Sequence, residues 1–298
     1  MGRALVVPGL DALLRREKIE FWIQEPQVIN ALSEGTAVLS DLNHCHHDLI
    51  DVLLQRRPMW TQRFDICLSA LCVLQVGILR TAAEYESWNV LVGCSNGDAA
   101  RSVAAGTLSL EDTLIVLGHY SSAREICLTG STVALRRADG APLSHSDLAR
   151  CEELGAAVCR WSSQHVTLAG AGEVIQRLRS AFADTSYKLT TLYPIALHSA
   201  AMLPLRSILN TPLQAARQPN QPVVSSVTQK MMTSRQEMID EHLMSVSGPI
   251  DWMATLKALR DQFEVTTVIN AGPGSDLMAM SEGQVAGLTF VDLQDLLR

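Results

Sequence analysis

Apolar residues run along the chain in two alternating periods. Residues 4–7 are apolar and β-prone and stop at Pro8-Gly9, which predicts a first buried strand ending in a turn. Residues 10–60 carry mostly helical spacing, and Trp60 to Ala83 reads as one long apolar helix. Asn89 to Gly93 is a short apolar run closed by glycine, a second buried strand, and Asp98 to Ala105 is small and alanine-rich, as suits a tightly packed helix. Ser109 followed three residues later by Asp112 has capping-box spacing and opens another helix. From Ser122 the elements shorten: strands at 126–128 and 132–135, a helix at 145–155, strands at 156–160 and 165–168, and a helix at 172–182. Residues 199–217 and 226–262 read as helical, and Val265 to Ile269 as a last buried strand before Gly272-Pro273-Gly274.

This order of elements predicts an α/β protein in two parts. A small α+β unit of about 70 residues, 123–194, is inserted into a larger α/β domain made of 1–122 and 195–298. The 298 residues are 47% hydrophobic and 18% charged, enough apolar material for a large core. With a formal charge of −7 and no basic run, the chain is a poor match for nucleic acid or anionic lipid, which bind through phosphate neutralisation. The apolar run Ile66 to Leu79 is broken by Ser69 and Gln75 and is too short to cross a bilayer. Arg3 followed by four apolar residues is too short for a signal-peptide core. Seven cysteines, an odd number with no Cys-x-x-Cys, fit a reduced cytoplasmic setting.

One stretch carries chemistry. Gly93, Ser95 and Gly97 form Gly-x-Ser-x-Gly between a predicted strand and a predicted helix, the setting of a nucleophile elbow. There a serine sits at a helix N-terminus, whose N–H groups favour developing negative charge. The same pattern also describes a plain glycine-rich turn. A nucleophilic serine needs a base, and there are eight histidines: 44, 46, 47, 119, 145, 165, 198 and 242. His44-Cys45-His46-His47 resembles a metal cluster, but consecutive side chains point different ways and cannot all ligate one ion, so no metal site is expected. His119, His145, His165 and His242 have no supporting pattern. His198 lies in an apolar stretch passing into a helix and, taken alone, carries no catalytic signal either.

Six motifs, in order, are similar to those of the malonyl-CoA:acyl-carrier-protein transacylase family, which includes polyketide synthase acyltransferase domains. Val7-Pro8-Gly9-Leu10-Asp11 corresponds to the family's Phe-Pro-Gly-Gln-Gly, and Gly93-Cys94-Ser95-Asn96-Gly97-Asp98 to its Gly-His-Ser-x-Gly-Glu. Ala105 to Thr113 follows Ala-Gly-x-Leu-Ser-Leu-Glu-Asp-Ala, and Trp161 to Gly170 follows Asn-Ser-x-x-Gln-x-Val-x-x-Gly with one residue missing. Leu197-His198-Ser199-Ala200-Ala201-Met202 matches Phe-His-Ser-x-x-Met, and Asn270 to Gly274 matches Glu-x-Gly-Pro-Gly. The resemblance implies a large α/β-hydrolase-like domain with a parallel sheet and a small inserted ferredoxin-like subdomain. It implies Ser95 as nucleophile, His198 as general base, and the backbone N–H groups of Leu10 and Asn96 as oxyanion hole. Backbone carbonyls of the loop at Asn270 and Ala271 would orient the histidine. No bound cofactor is implied; the substrate carries phosphopantetheine, on an acyl carrier protein or on coenzyme A.

The chain departs from the family where the acyl group is chosen. The position of the arginine that pairs with malonyl's carboxylate is Tyr120, eight residues after Asp112, and neutral tyrosine cannot replace a bidentate guanidinium. Arg124 lies one helical turn further on. Gly9, Cys94, Tyr120 and Leu197 are the expected pocket residues, with Cys94 a small packing group, and Leu10 replaces a glutamine. These changes point to a non-malonyl, apolar or neutral acyl group, up to a long chain. Three functions are compatible: a discrete, trans-acting acyltransferase, an acyl-thioester hydrolase that clears carrier proteins, and a non-catalytic carrier-binding homologue. For an acidic carrier, the available basic clusters are Arg15-Arg16-Lys18, Arg56-Arg57 and Arg206.

Overall fold

A computed structural model describes residues 2–10, 12, 16–43, 48–55, 63–121, 130–273 and 276–298. The expected strand at 126–128, Arg124, the His44–His47 cluster, Arg15 and the Arg56-Arg57 pair lie outside these residues. The larger part is built on a six-stranded sheet. Its strands are β1 (Gly2–Val7), β2 (Val90–Gly93), β7 (Val223–Val224), β8 (Met231–Met232), β9 (Val265–Asn270) and β10 (Thr289–Asp292), in the order β10-β9-β1-β2-β7-β8. All neighbours are parallel except the β7–β8 pair. Leu5, Val7 and Leu91 face one apolar cluster, while Ala4, Val6, Val90 and Val92 face another. Burial on both faces is why these strands read as unbroken apolar runs.

The first cluster is organised by α4 (Phe64–Tyr85), packed between α2 (Pro26–Asn43), α3 (Leu49–Leu54), α5 (Gly97–Ala104) and α6 (Leu110–Gly118). By length and composition α4 alone among the described helices could cross a membrane, but 89% of its most apolar window is buried inside the fold. α1 (Arg16–Trp22) closes this side with buried Ile19 and Trp22. Ser109 caps α6 through a full capping box with Asp112, as its spacing predicts.

The smaller part has the β-α-β-β-α-β order: β3 (Gly130–Arg137), α7 (His145–Glu153), β4 (Ala157–Arg160), β5 (Val166–Ala171), α8 (Gly172–Ala181) and β6 (Tyr187–Tyr193). Its antiparallel sheet runs β4-β5-β3-β6, the ferredoxin-like arrangement, over its own apolar core. The chain returns through a 3₁₀ turn (Ala200–Met202), α9 (Leu203–Asn210), α10 (Arg235–Ser247) and α11 (Trp252–Asp261), and ends with α12 (Asp276–Ser281) and α13 (Leu293–Leu296).

Two expectations need correction, and further strands are added to those expected. The stretch 199–217 is one helix flanked by 3₁₀ turns, because Pro212 cannot continue α9. Residues 226–262 hold β8 and two helices, divided at Gly248-Pro249. β9 is the last buried strand, as expected, and β10, which pairs with it and has no fully buried position, is an addition. β6 is an addition to the expected elements: it is a sheet edge with no fully buried position, so it shows no apolar run.

Candidate active site

The carboxyl ends of β1 and β2 lie side by side, with Val7 opposite Gly93, and the loops leaving them meet at Ser95. This is where parallel sheets place ligands. Strand must turn into helix within three residues, and Ser95 adopts the left-handed region at φ 58°. Both flanking glycines are required for space: a β-carbon at Gly97 would lie 2.1 Å from the Val7 carbonyl oxygen, and one at Gly93 would lie 2.6 Å from Asp98 Oδ1. The first loop passes directly over the serine, since a β-carbon at Gly9 would sit 3.2 Å from Ser95 Cβ. Buried Gln75 in α4 donates to the Pro8 carbonyl at 2.7 Å and fixes that loop. A glutamine inside an apolar helix is the sequence signal for this role.

His198 also has a positive φ, 56°, and its Nε2 lies 2.8 Å from Ser95 Oγ. Thr132 of β3 holds the approach to it, donating to Ile195 O at 2.8 Å and accepting from Leu197 N at 3.1 Å. The small subdomain thus helps to place the histidine. His198 Nδ1 is hydrogen-bonded to the Ser245 carbonyl. Because a carbonyl only accepts, Nδ1 carries the proton and Nε2 presents its lone pair to Ser95. Burial lowers the His198 pKa from its ordinary 6.5, against smaller opposing effects of the Ser245 carbonyl and the Asp98 charge.

The expected orienting loop is therefore corrected. Ser245 lies in the last turn of α10, where helix carbonyls have no partner within the helix and carry the negative end of the dipole. Asn270 and Ala271 do different work. The Asn270 side chain donates to Asp292, and Ala271 N donates to Val6 O at 2.8 Å, which ties this loop to the sheet.

Two spaces meet at Ser95, Leu10, Leu197 and His198. Behind the serine is a small cavity of about 50 Å³, lined by α4, α5 and α6 residues with Tyr120, Asp98 and His242. On the other side a cleft of about 710 Å³ runs between the two sheets, with Gly9, Cys94, Arg136, Lys188 and Leu192 on its walls. Tyr120 stands in the inner cavity as expected, its hydroxyl pKa raised by burial and by Asp98. Among the described lining residues of that cavity there is no lysine or arginine. Cys94 packs into the second apolar cluster while edging the cleft. Asn96, immediately after Ser95, is the N-cap of α5. Of the basic residues offered by the sequence for docking, those described do not line the cleft: Arg16 pairs with Glu20, Lys18 with Asp292, and Arg206 is elsewhere.

A buried polar cluster adjoins the cavity, and no motif announces it. Arg101 of α5 is fully buried, 3.0 Å from Asp98 Oδ1 and 3.7 Å from Glu241 Oε1 of α10. Ser102 Oγ lies 2.8 Å from His242 Nε2. Glu241 further accepts from Ser225 Oγ and from Ser226 N. Burial and the nearby Asp98 charge raise the Glu241 pKa, while burial and Arg101 push His242 down to about 4. Consecutive residues of α5 and α10 thus join the helix that starts just after Ser95 to the helix whose carbonyl orients His198.

No family model matches the chain. It is 28% identical over 183 residues to the non-reducing polyketide synthase nscA of Neosartorya fischeri, a match covering 58% of this chain and 10% of that protein. It is 27% identical over 211 residues to the non-reducing polyketide synthase fsr1 of Gibberella fujikuroi, covering 69% of this chain and 9% of that protein. The chain spans about a tenth of the length of these curated relatives. Among solved structures, the malonyl-transacylase complex with a type II polyketide synthase acyl-carrier protein superposes with TM-score 0.84 at 21% identity, over 98% of this chain and 96% of that one. An acyl carrier protein S-malonyltransferase from Vibrio cholerae gives 0.82 at 20% identity over the whole of both chains. The chain has the malonyl-CoA:acyl-carrier-protein transacylase fold.

Proposed function

We propose that the chain is an acyltransferase that moves a short, non-malonyl acyl group between thioesters, one of them on an acyl carrier protein. The observation that carries this reading is Ser95 Oγ at 2.8 Å from a histidine nitrogen whose lone pair faces it, at the junction of a small cavity and a long cleft. In the first half-reaction Ser95 Oγ attacks the thioester carbonyl carbon while His198 Nε2 takes its proton. The backbone N–H groups of Asn96 and Leu10 are assigned to the resulting oxyanion, each donor being worth roughly 10²–10³ in rate. Collapse breaks the C–S bond, and His198 returns the proton to the leaving thiol. In the second half a new thiol attacks the acyl-serine, His198 takes the thiol proton, and Ser95 leaves reprotonated. The negative end of the α10 dipole at Ser245 stabilises the imidazolium in both halves, so no acidic third member is needed.

The cleft of about 710 Å³ is assigned to a phosphopantetheine arm, and the carrier-bound transacylase structure supports a carrier protein as partner. The inner cavity of about 50 Å³ has room for roughly three to five water-sized groups, too few for the long chain that the sequence allows. A malonyl carboxylate there would find the Asp98 carboxylate and no cation among the described lining residues. Two like charges at about 4 Å repel by roughly 4 kcal/mol at an effective dielectric constant of 20, a repulsion that Arg101 beside Asp98 offsets in part.

Incubation with a panel of acyl-pantetheine thioesters, read by intact mass, tests this. A short non-malonyl acyl group is expected on Ser95 and absent from Ser95→Ala, with malonyl loading at least ~100-fold slower. Fast malonyl loading would overturn the pocket reading. Release of free acid without transfer to thiol would make the enzyme a hydrolase.

A further inference from the structure

Among the described residues, buried acceptors without a donor line the inner cavity beside the Tyr120 hydroxyl and the Asn96 amide. Asp98 is 3% exposed, and neither of its carboxylate oxygens accepts a hydrogen bond among the described residues, although Arg101 lies beside one of them as counter-charge. His242 adds a second acceptor. The single hydroxyl proton of Ser102 goes to the Asp98 backbone carbonyl at 2.8 Å, so Ser102 Oγ accepts from His242 Nε2–H, and His242 Nδ1 is left with a lone pair. The Thr113 hydroxyl donates to Ser109 O and likewise keeps only acceptor capacity. A buried acceptor without a donor is a costly arrangement, and native sites that keep one tend to have a ligand that satisfies it.

We propose that the acyl group this site takes carries a hydrogen-bond donor, a hydroxyl or an amine, close to the thioester carbonyl and aimed at Asp98. The inference rests on the acyl-enzyme reading above and narrows its substrate class. Asp98 lies three residues after Ser95 in one tight turn, its backbone N–H donating to the Ser95 carbonyl at 3.0 Å, and both side chains line the inner cavity. A donor on the second or third carbon of the acyl group stays within the reach of that turn, and such a group fits a cavity of about 50 Å³. The rest of the lining, including Leu108, Val116 and Leu117, takes up the short hydrocarbon. The same acceptors explain rejection of a carboxylate, which brings no donor and a like charge.

The test compares pairs of pantetheine thioesters that differ only in the donor: 3-hydroxybutyryl against butyryl, and 3-aminopropionyl against propionyl. The second-order rate of Ser95 acylation is followed by rapid-quench intact mass. At least about tenfold faster loading is expected for the donor-bearing member of one pair, and which pair shows it tells hydroxyl from ammonium. In Asp98→Ala the ratio within that pair falls toward one; because it is a ratio within one protein, loss of folded enzyme cancels. Ratios at or below one in both pairs overturn the proposal, as does a preference that survives in Asp98→Ala. Should no thioester acylate Ser95 at all, the acyl-enzyme reading fails and this inference with it. Loading of both members of each pair at equal rates would defeat the inference while leaving that reading intact.

Discussion

At the scale of single residues, the chemistry divides between side chains that a sequence displays and backbone groups that it hides. Ser95 is marked by Gly-x-Ser-x-Gly between strand and helix, whereas His198 stands out only through the resemblance of Leu197 to Met202 to a family motif. Ser245 has no mark at all, since any residue in the last turn of α10 offers the same carbonyl, and the loop at Asn270 and Ala271 is expected in its place. Replacing His198 by alanine removes the general base and should slow Ser95 acylation by roughly 10²–10⁴, measured by intact mass; an unchanged rate contradicts the assignment. Because the folded His198 pKa lies below 6.5, its neutral, base-competent form persists to lower pH than usual. The acid limb of kcat/KM should therefore fall below pH 6.5, and a limb centred above it would mean that another group limits the rate. His242 gives a stability effect of defined sign. Its unfolded form takes a proton near 6.5 and its folded form only near 4, so the unfolded chain binds more protons in between and stability drops as pH falls through that window. His242→Gln should flatten the fall in Tm between those pH values; equal slopes for both proteins would remove His242 as the cause.

Whole elements are readable where burial on both faces writes an apolar run, as in β1, β2, β9 and α4, or where a capping box marks a start, as at Ser109. They are hidden where tertiary context does the work: β6 is an edge, and β7 and β8 are two residues each. The elbow is the most constrained element. Gly97→Ala forces a β-carbon against the Val7 carbonyl and should cost at least about 1–3 kcal/mol in urea unfolding while misplacing Ser95. A fully stable, fully active Gly97→Ala protein contradicts the packing described. The junction of α5 and α10 is a buried ionic cluster, invisible in sequence because Arg101 and Glu241 are far apart along the chain. Removing Glu241 leaves Arg101 paired with Asp98 but strips buried Ser225 Oγ and Ser226 N of their acceptor. Glu241→Ala should destabilise by about 1–3 kcal/mol and Glu241→Gln, which keeps an acceptor for Ser225 or Ser226, by less. Equal losses would show that the hydrogen bonds are irrelevant.

Over the whole molecule, the two sheets are anticipated by the shift in element length near residue 122, and their meeting at one serine is what makes a cleft. That meeting depends on Thr132 of the smaller sheet, which holds the approach to His198, so the subdomain is tied to the dyad as well as to the substrate channel. Its sheet face also sets Arg136 directly opposite Lys188 along the cleft, a like-charged pair that is unfavourable until an anion approaches. Reversing both charges should lower kcat/KM for an acyl carrier thioester relative to the matching pantetheine thioester by about tenfold or more at low salt. An unchanged ratio would place carrier docking elsewhere. The central claim, that Ser95 relays an acyl group under the control of His198, is tested most directly by a two-step mass experiment: load the protein from one acyl thioester, remove the donor, then add a holo carrier protein. The account predicts an acyl adduct on Ser95 that disappears as the same mass appears on the carrier; transfer that proceeds equally well in Ser95→Ala would contradict it.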